Sequence, residues 1–472
     1  MMQKVLTKYW LTVHVGLVLF FPFLYLSQPH TLGFIPLLWL SFVALETAIL
    51  LPSVRRGETL ADARLRVIRA VLKDPFFYLG VSVLLFVIFQ WLNSGCKLMY
   101  LPDADIWQFT PPAVPWAPFS VEAQTSLTNV AVFFASVVGC LCLRHAVSQT
   151  GKRYLLQATV SLSGLLACYS VWRTSCGVEP YVAYAFGREG CALGAFFGFW
   201  LMLGMGVFAD AMARGQRGFE MFFLLGVVGN LVGMLFFSKA LLLVLYVALA
   251  FLLFLYWLCY LNVHVAKHVQ LKLFLMSAVV MISLSVALIY VFPANPVSAK
   301  MQGLLSFERC WHSLAETKNI RTTAALKIWQ DHPWVGVGVD GFQHFIGSVV
   351  NDKDWRLIKV DQPCVYNDSL QFLCEYGLLG FGLLFSSVIT LLVPICHRTR
   401  IAWKMGGLDE NGSRLVLLRI SPLVLTGVLA TGACFLESWF GSPFRSSSVL
   451  MSWVIVLSML PSFLPASART AA

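Results

Sequence analysis

Apolar runs of spanning length follow one another along most of this chain, separated by short polar connections. A run of roughly 20 apolar residues crosses a hydrocarbon core as one helix, so the pattern predicts a polytopic membrane protein. Twelve spans are expected, near 9–28, 31–52, 75–95, 125–143, 155–173, 191–212, 219–237, 240–262, 273–293, 370–395, 415–436 and 449–466. The runs are continuous rather than alternating, which excludes a β-barrel and predicts an all-α chain. The first run, near Tyr9–Leu26, leads directly into a second and lacks a small-residue cleavage site, so it reads as a retained helix. One polar stretch breaks this rhythm between spans 9 and 10. It divides the chain into 1–293 with nine spans, a loop domain at 294–369, and three further spans in 370–472.

Inside the loop domain, the region from Gly303 to His332 suits one or two helices, which Pro333 then ends. Gly336, Gly338 and Gly341 follow with a dinucleotide-like spacing. No strand–helix–strand unit surrounds them, so a tight turn is the better reading. The 96–124 segment carries Pro102, Pro111, Pro112, Pro115 and Pro118 beside Trp107 and Trp116. That composition predicts an irregular collar at the membrane interface.

Composition agrees, with 58% hydrophobic and 12% charged residues. The net charge of +11 does not point to nucleic acid. Lys and Arg gather in the connections at 53–74, 144–154, 213–218, 263–272 and 396–414, which alternate counting puts on one face together with both termini. Basic connections face the cytoplasm, so both ends are expected there. The remaining cations lie in the polar loop, where they could meet an anionic substrate. The twelve cysteines show no CxxC pair and no metal-ligand spacing; Cys140, Cys142, Cys168, Cys259 and Cys434 fall in apolar runs and read as packing residues. Cys310 and Cys364 share the loop, and an oxidising compartment leaves a bridge between them open.

Two motifs carry chemistry. The first is Asp331-His332-Pro333 with Gly336 and Gly338. The second is Asn367-Asp368, then Leu370-Gln371-Phe372-Leu373, Glu375, Gly377 and Gly380, running into a span. Their order, with the late Gly441-Ser442-Pro443-Phe444-Arg445 turn, resembles the O-antigen ligase and polymerase superfamily. Specific motifs cover about a fifth of the chain; the rest matches in layout. The resemblance implies a GT-C-type glycosyltransferase of the bacterial inner membrane with its site on the periplasmic face. Such enzymes move a glycan from an undecaprenyl-diphosphate carrier to a hydroxyl on lipid A–core, a growing polysaccharide or a protein. The resemblance implies neither metal nor other cofactor, and the partners are glycan lipid, acceptor and bilayer.

That chemistry needs cations for a diphosphate leaving group and a base for the acceptor hydroxyl. The family places an Arg at a span end where this chain has Ser238-Lys239, so Lys239 is a phosphate-contact candidate or a snorkelling Lys. A second family Arg maps near Lys318, with Arg321 one turn on and on the same helix face. Arg321 is preferred, because its planar fork suits a diphosphate. Relatives carry His before the Asn-Asp pair, and here that residue is Tyr366. A phenol is a poor base at neutral pH. His344 or Asp368 could substitute, Tyr366 could bind sugar instead, or the chain could lack transferase activity. His332 reads as orienting the turn. Asn367, Asp368 and Gln371 suit sugar hydroxyls, while the Asn-Asp pair also suits a helix cap. Glu375 is a carboxylate inside a span and needs a partner. Arg445 is a further phosphate candidate or an interfacial anchor. Two other classes remain open: a silent relative that binds glycan lipid, and a secondary transporter, which should show repeated halves and midplane ionisable groups.

Overall fold

The computed structural model describes residues 10–18, 34–55, 57–101, 106–176, 191–213, 220–238, 307–351, 354, 364–405 and 421–464. These residues are mostly helical. Five helices are long and apolar enough to cross a membrane: α3 (Pro75–Leu92), α4 (Ala123–Leu141), which continues into a π-helical turn at Cys142–Ala146, α5 (Gln149–Ser175), α6 (Cys191–Ala213) and α10 (Asp368–Met405). Four shorter apolar helices join them: α1 (Phe34–Leu50), α7 (Glu220–Phe237), α11 (Pro422–Glu437) and α12 (Ser447–Met459). Nine of the expected spans thus correspond to described helices. The first is helical over 10–18, and the segments at 240–262 and 273–293 lie outside the described residues.

Local signals set several helix ends. Asp74 caps α3 by accepting the Phe76 N–H, with Pro75 supplying a first-turn residue that has no N–H to satisfy. Ser148 caps α5 by accepting the Gly151 N–H. Packing between α5 and α7 depends on small residues. A Cβ on Gly164 would run into the Gly226 backbone, and one on Gly229 into Gly164. Asn230 reinforces the contact by donating from Nδ2 to Ser163 Oγ at 2.9 Å. Close backbone approach plus an interhelical hydrogen bond substitutes for the hydrophobic drive that lipid would not supply.

The all-α expectation needs one correction. Residues Lys97–Leu101 (β1) and Ile106–Thr110 (β2) pair as an antiparallel hairpin, Lys97 opposite Thr110 and Leu101 opposite Ile106. Pro111 follows β2 directly, so this proline bounds the strand rather than abolishing it. The 53–74 connection likewise holds a helix, α2 (Leu60–Leu72), capped by Thr59. Its residues Leu65, Ile68 and Leu72 are exposed at helical spacing, beside Arg64, Arg66 and Arg69. In the loop domain, α8 (Phe307–Asp331) ends just before Pro333, as the sequence predicts, and a second helix, α9 (Gly341–Val349), follows the glycine turn.

Candidate functional site

The two sequence motifs form a single interlocked unit. After α8 the chain turns through Gly336 (φ 69°) and Gly338 (φ 83°) and lies against α10, which is interrupted at Gly377 (φ 62°, ψ −172°). The Val337 and Gly338 N–H groups donate to the carbonyls of Cys374 and Glu375, at 3.1 and 2.9 Å. Beyond the break, the Leu378 and Leu379 N–H groups donate to the carbonyls of Pro333 and Trp334, at 2.8 and 3.0 Å. A helix break frees backbone groups that need partners, and the turn supplies them. A Cβ on Gly377 would enter the Trp334 carbonyl, and one on Gly336 would meet the Glu375 carbonyl.

This clamp fixes α8 beside the start of α10. Arg321, 3% exposed, donates from Nη1 to the Cys364 carbonyl at 3.1 Å. Its guanidinium lies 4.5 Å from the Tyr366 ring centroid, a cation–π stack in which Tyr366 holds φ 55°. One turn earlier, Lys318 donates to the Trp439 carbonyl at 2.8 Å and sits over the Phe440 ring. Burial lowers the Lys318 pKa.

Asn367 caps α10: its Oδ1 accepts the Leu370 N–H at 3.1 Å, and its carbonyl accepts the Gln371 N–H. Asp368 is 3% exposed, and its Oδ2 accepts the Phe444 N–H at 2.9 Å. No hydrogen bond engages its Oδ1 among the described residues. Gln371 donates from Nε2 to Glu375 Oε1 at 3.0 Å. Arg445 forms an ion pair with Asp340 at 2.8 Å. Burial opposes the Arg445 charge, but the Asp340 and Glu375 carboxylates outweigh it and hold its pKa above the usual guanidinium value.

Arg321, Tyr366, Asp368, Gln371, Glu375 and Arg445 therefore belong to one layer around the start of α10. His344 does not join them. It is exposed on α9, whose Phe342, Phe345 and Ile346 face the core shared with α8, so the imidazole points the other way. His332 is half-buried against Phe109, Phe119 and Phe345, with ring centroids 5.6–5.8 Å away, and burial lowers its pKa. Its backbone carbonyl accepts the Gly336 N–H at 3.1 Å, which ties it to the turn. Lys239 lies outside the described residues, as does the Cys310 side chain and with it the bridge to Cys364.

Sequence reasoning missed Asp340 and Glu437. Asp340 stands in left-handed conformation before α9, and Glu437 is 1% exposed at the end of α11. An acidic residue at the end of an apolar run was the available signal for Glu437. Reading also missed a cavity of about 640 Å³ between α3, α4, α10, α11 and α12. Asp368, Ser369 and Ser438 stand at one end, and its walls follow α10 as far as Leu392. Phe385, Leu392, Val428 and Phe435 line it and remain exposed, so it opens sideways from the helices.

No protein-family model matches the chain, and no curated protein matches it. The arrangement itself combines two guanidinium groups, an acidic cluster and an apolar groove.

Proposed function

We propose that the chain is an integral-membrane glycosyltransferase of the O-antigen ligase kind, with twelve spans, a GT-C-like layout and both termini in the cytoplasm of a bacterial inner membrane. It takes a glycan from undecaprenyl diphosphate and joins it to a hydroxyl acceptor at the periplasmic face. The observation that carries this reading is the apolar groove ending at Asp368, in the layer that also holds Arg321 and Arg445. A prenyl chain suits the groove, and guanidinium groups suit the phosphates.

In this reading the acceptor oxygen attacks the anomeric carbon while the bond from that carbon to the diphosphate oxygen breaks. The electron pair leaves with the lipid diphosphate, whose growing charge Arg321 and Arg445 stabilise. The hydroxyl proton passes to Asp368, whose Oδ1 has no hydrogen bond among the described residues. Of the two candidate bases, Asp368 is preferred over His344, which is exposed on α9 and faces away. Tyr366, held on Arg321, offers its ring to a sugar.

Deleting the gene and complementing it tests the reading. Wild type should restore glycan attachment, while Asp368→Asn and Arg321→Ala should lower it roughly 10²-fold or more at unchanged membrane abundance. Unchanged surface polysaccharide and protein glycosylation after deletion would defeat it. Accumulated carrier-bound polymer would indicate a ligase, single repeats a polymerase, and lost protein glycans a protein glycosyltransferase. A second reading, a glycan-lipid binder without transferase activity, is favoured by Tyr366 standing on Arg321 where relatives carry His. It predicts carrier binding without turnover.

A further inference from the structure

At the far end of α10 from Asp368, cations gather around the close of α12. The 3₁₀ turn Leu460–Phe463 receives three donors. Lys152 Nζ donates to Ser462 Oγ, Gln149 Nε2 to the Ser462 carbonyl at 2.9 Å, and Arg398 Nη1 to the Pro461 carbonyl. Lys152 is only 3% exposed. Its ammonium donates to a neutral hydroxyl, and no carboxylate pairs with it among the described residues. Arg398 and Arg144 both repel it. Arg144 shares Asp74 with His145, at 3.2 and 2.7 Å, and its Nη1 is buried without a hydrogen-bond partner among the described residues.

Carbonyl and hydroxyl dipoles at a helix end favour a nearby cation, but they do not cancel a full buried charge. Buried charges in helical membrane proteins are ordinarily matched by a partner. Lys152 and Arg398 together exceed what the 3₁₀ turn supplies. Depth narrows the partner. The amphipathic α2 lies at this same end: Arg66 donates to the Ser53 carbonyl, and the Ser53 N–H to the Ala146 carbonyl just after Arg144 and His145. A helix with exposed Leu65, Ile68 and Leu72 beside Arg64 and Arg69 suits the level of lipid headgroups. Arg398 is half-buried and Gln149 exposed, and both bond the same 3₁₀ turn as Lys152.

We infer that Lys152, Arg398 and Gln149 form a site for the phosphate of an anionic phospholipid headgroup, independent of the glycan-lipid site. Clustered basic residues between helices at a charged leaflet recognise such groups.

Thermal unfolding of the full-length protein in nanodiscs of phosphatidylcholine, with or without a third of phosphatidylglycerol, tests this. The wild-type midpoint should rise with phosphatidylglycerol, and Lys152→Met and Arg398→Gln should each lose most of that rise. Titration of phosphatidylglycerol into detergent-solubilised protein, read by native mass spectrometry, should show roughly fivefold weaker binding per removed charge. Inorganic phosphate added alone separates the sources. Protection that needs the lipid supports the headgroup assignment, whereas full protection by millimolar phosphate would overturn it in favour of a soluble anion. Equal rises in wild type and both variants would also overturn it. If the variants do not fold, the wild type decides: equal retention of phosphatidylglycerol and phosphatidylcholine would refute the site.

Discussion

At Arg321 the plane of the side chain matters as much as its charge. The guanidinium bonds the Cys364 carbonyl and stacks on Tyr366 at 4.5 Å, so a Lys could keep the charge and lose the stack. Arg321→Lys should therefore lose most glycan transfer while Tyr366→Phe, which keeps the ring, retains more; the complementation assay above reads both. Residue type and spacing from the glycine turn both pointed to Arg321, and the structure packs it against Tyr366. His344 stayed one of several candidates because a sequence gives its distance from the motif but not the side of α9 that carries it. His332 allows a pH test. Burial lowers its pKa below the ordinary value near 6.5, so the folded state resists a proton that the unfolded chain accepts. Stability should hold above about pH 6.5 and fall as the pH drops below it. His332→Phe, matching its aromatic neighbours, should flatten the drop in unfolding midpoint between pH 7.5 and 5.5.

Among the elements, the interrupted α10 unites what looked like two motifs. Hydropathy showed an apolar run and could not show the break, because Gly377 and Gly380 are both compatible with a helix. Only the partner turn distinguishes them: Gly377 has φ 62° and Trp334 against it, whereas Gly380 continues the helix. Gly377→Ala forces a side chain into left-handed backbone and against a carbonyl. It should cost about 1–3 kcal/mol or more, measured as a lower unfolding midpoint in detergent. Gly382→Ala, where nothing lies within 4 Å of an added Cβ, should be neutral or slightly stabilising. The hairpin escaped notice for a related reason. Proline density argued against helix, and the alternating residues between the prolines were too few to announce strands.

Across the whole molecule, α10 links two chemically opposite ends. Asp368 opens it beside carboxylates and an apolar groove, and Arg398 stands 30 residues on, past the break at Gly377, among the cations around Lys152. The basic connection at 53–74 was legible because charge resists burial in lipid. The groove was not, since its walls come from five helices distant in sequence. Its role can be tested without touching the polar layer. Gly432 lines the groove on α11, and an added Cβ there meets nothing within 4 Å. Gly432→Phe should thus project a ring into the groove while removing a helix-weakening glycine, leaving the unfolding midpoint unchanged or higher. If a prenyl chain occupies the groove, this variant should raise the KM for lipid-linked glycan several-fold and change kcat little, since the reacting groups at Asp368 are undisturbed. Unaltered KM in a variant that folds normally would move the lipid chain elsewhere.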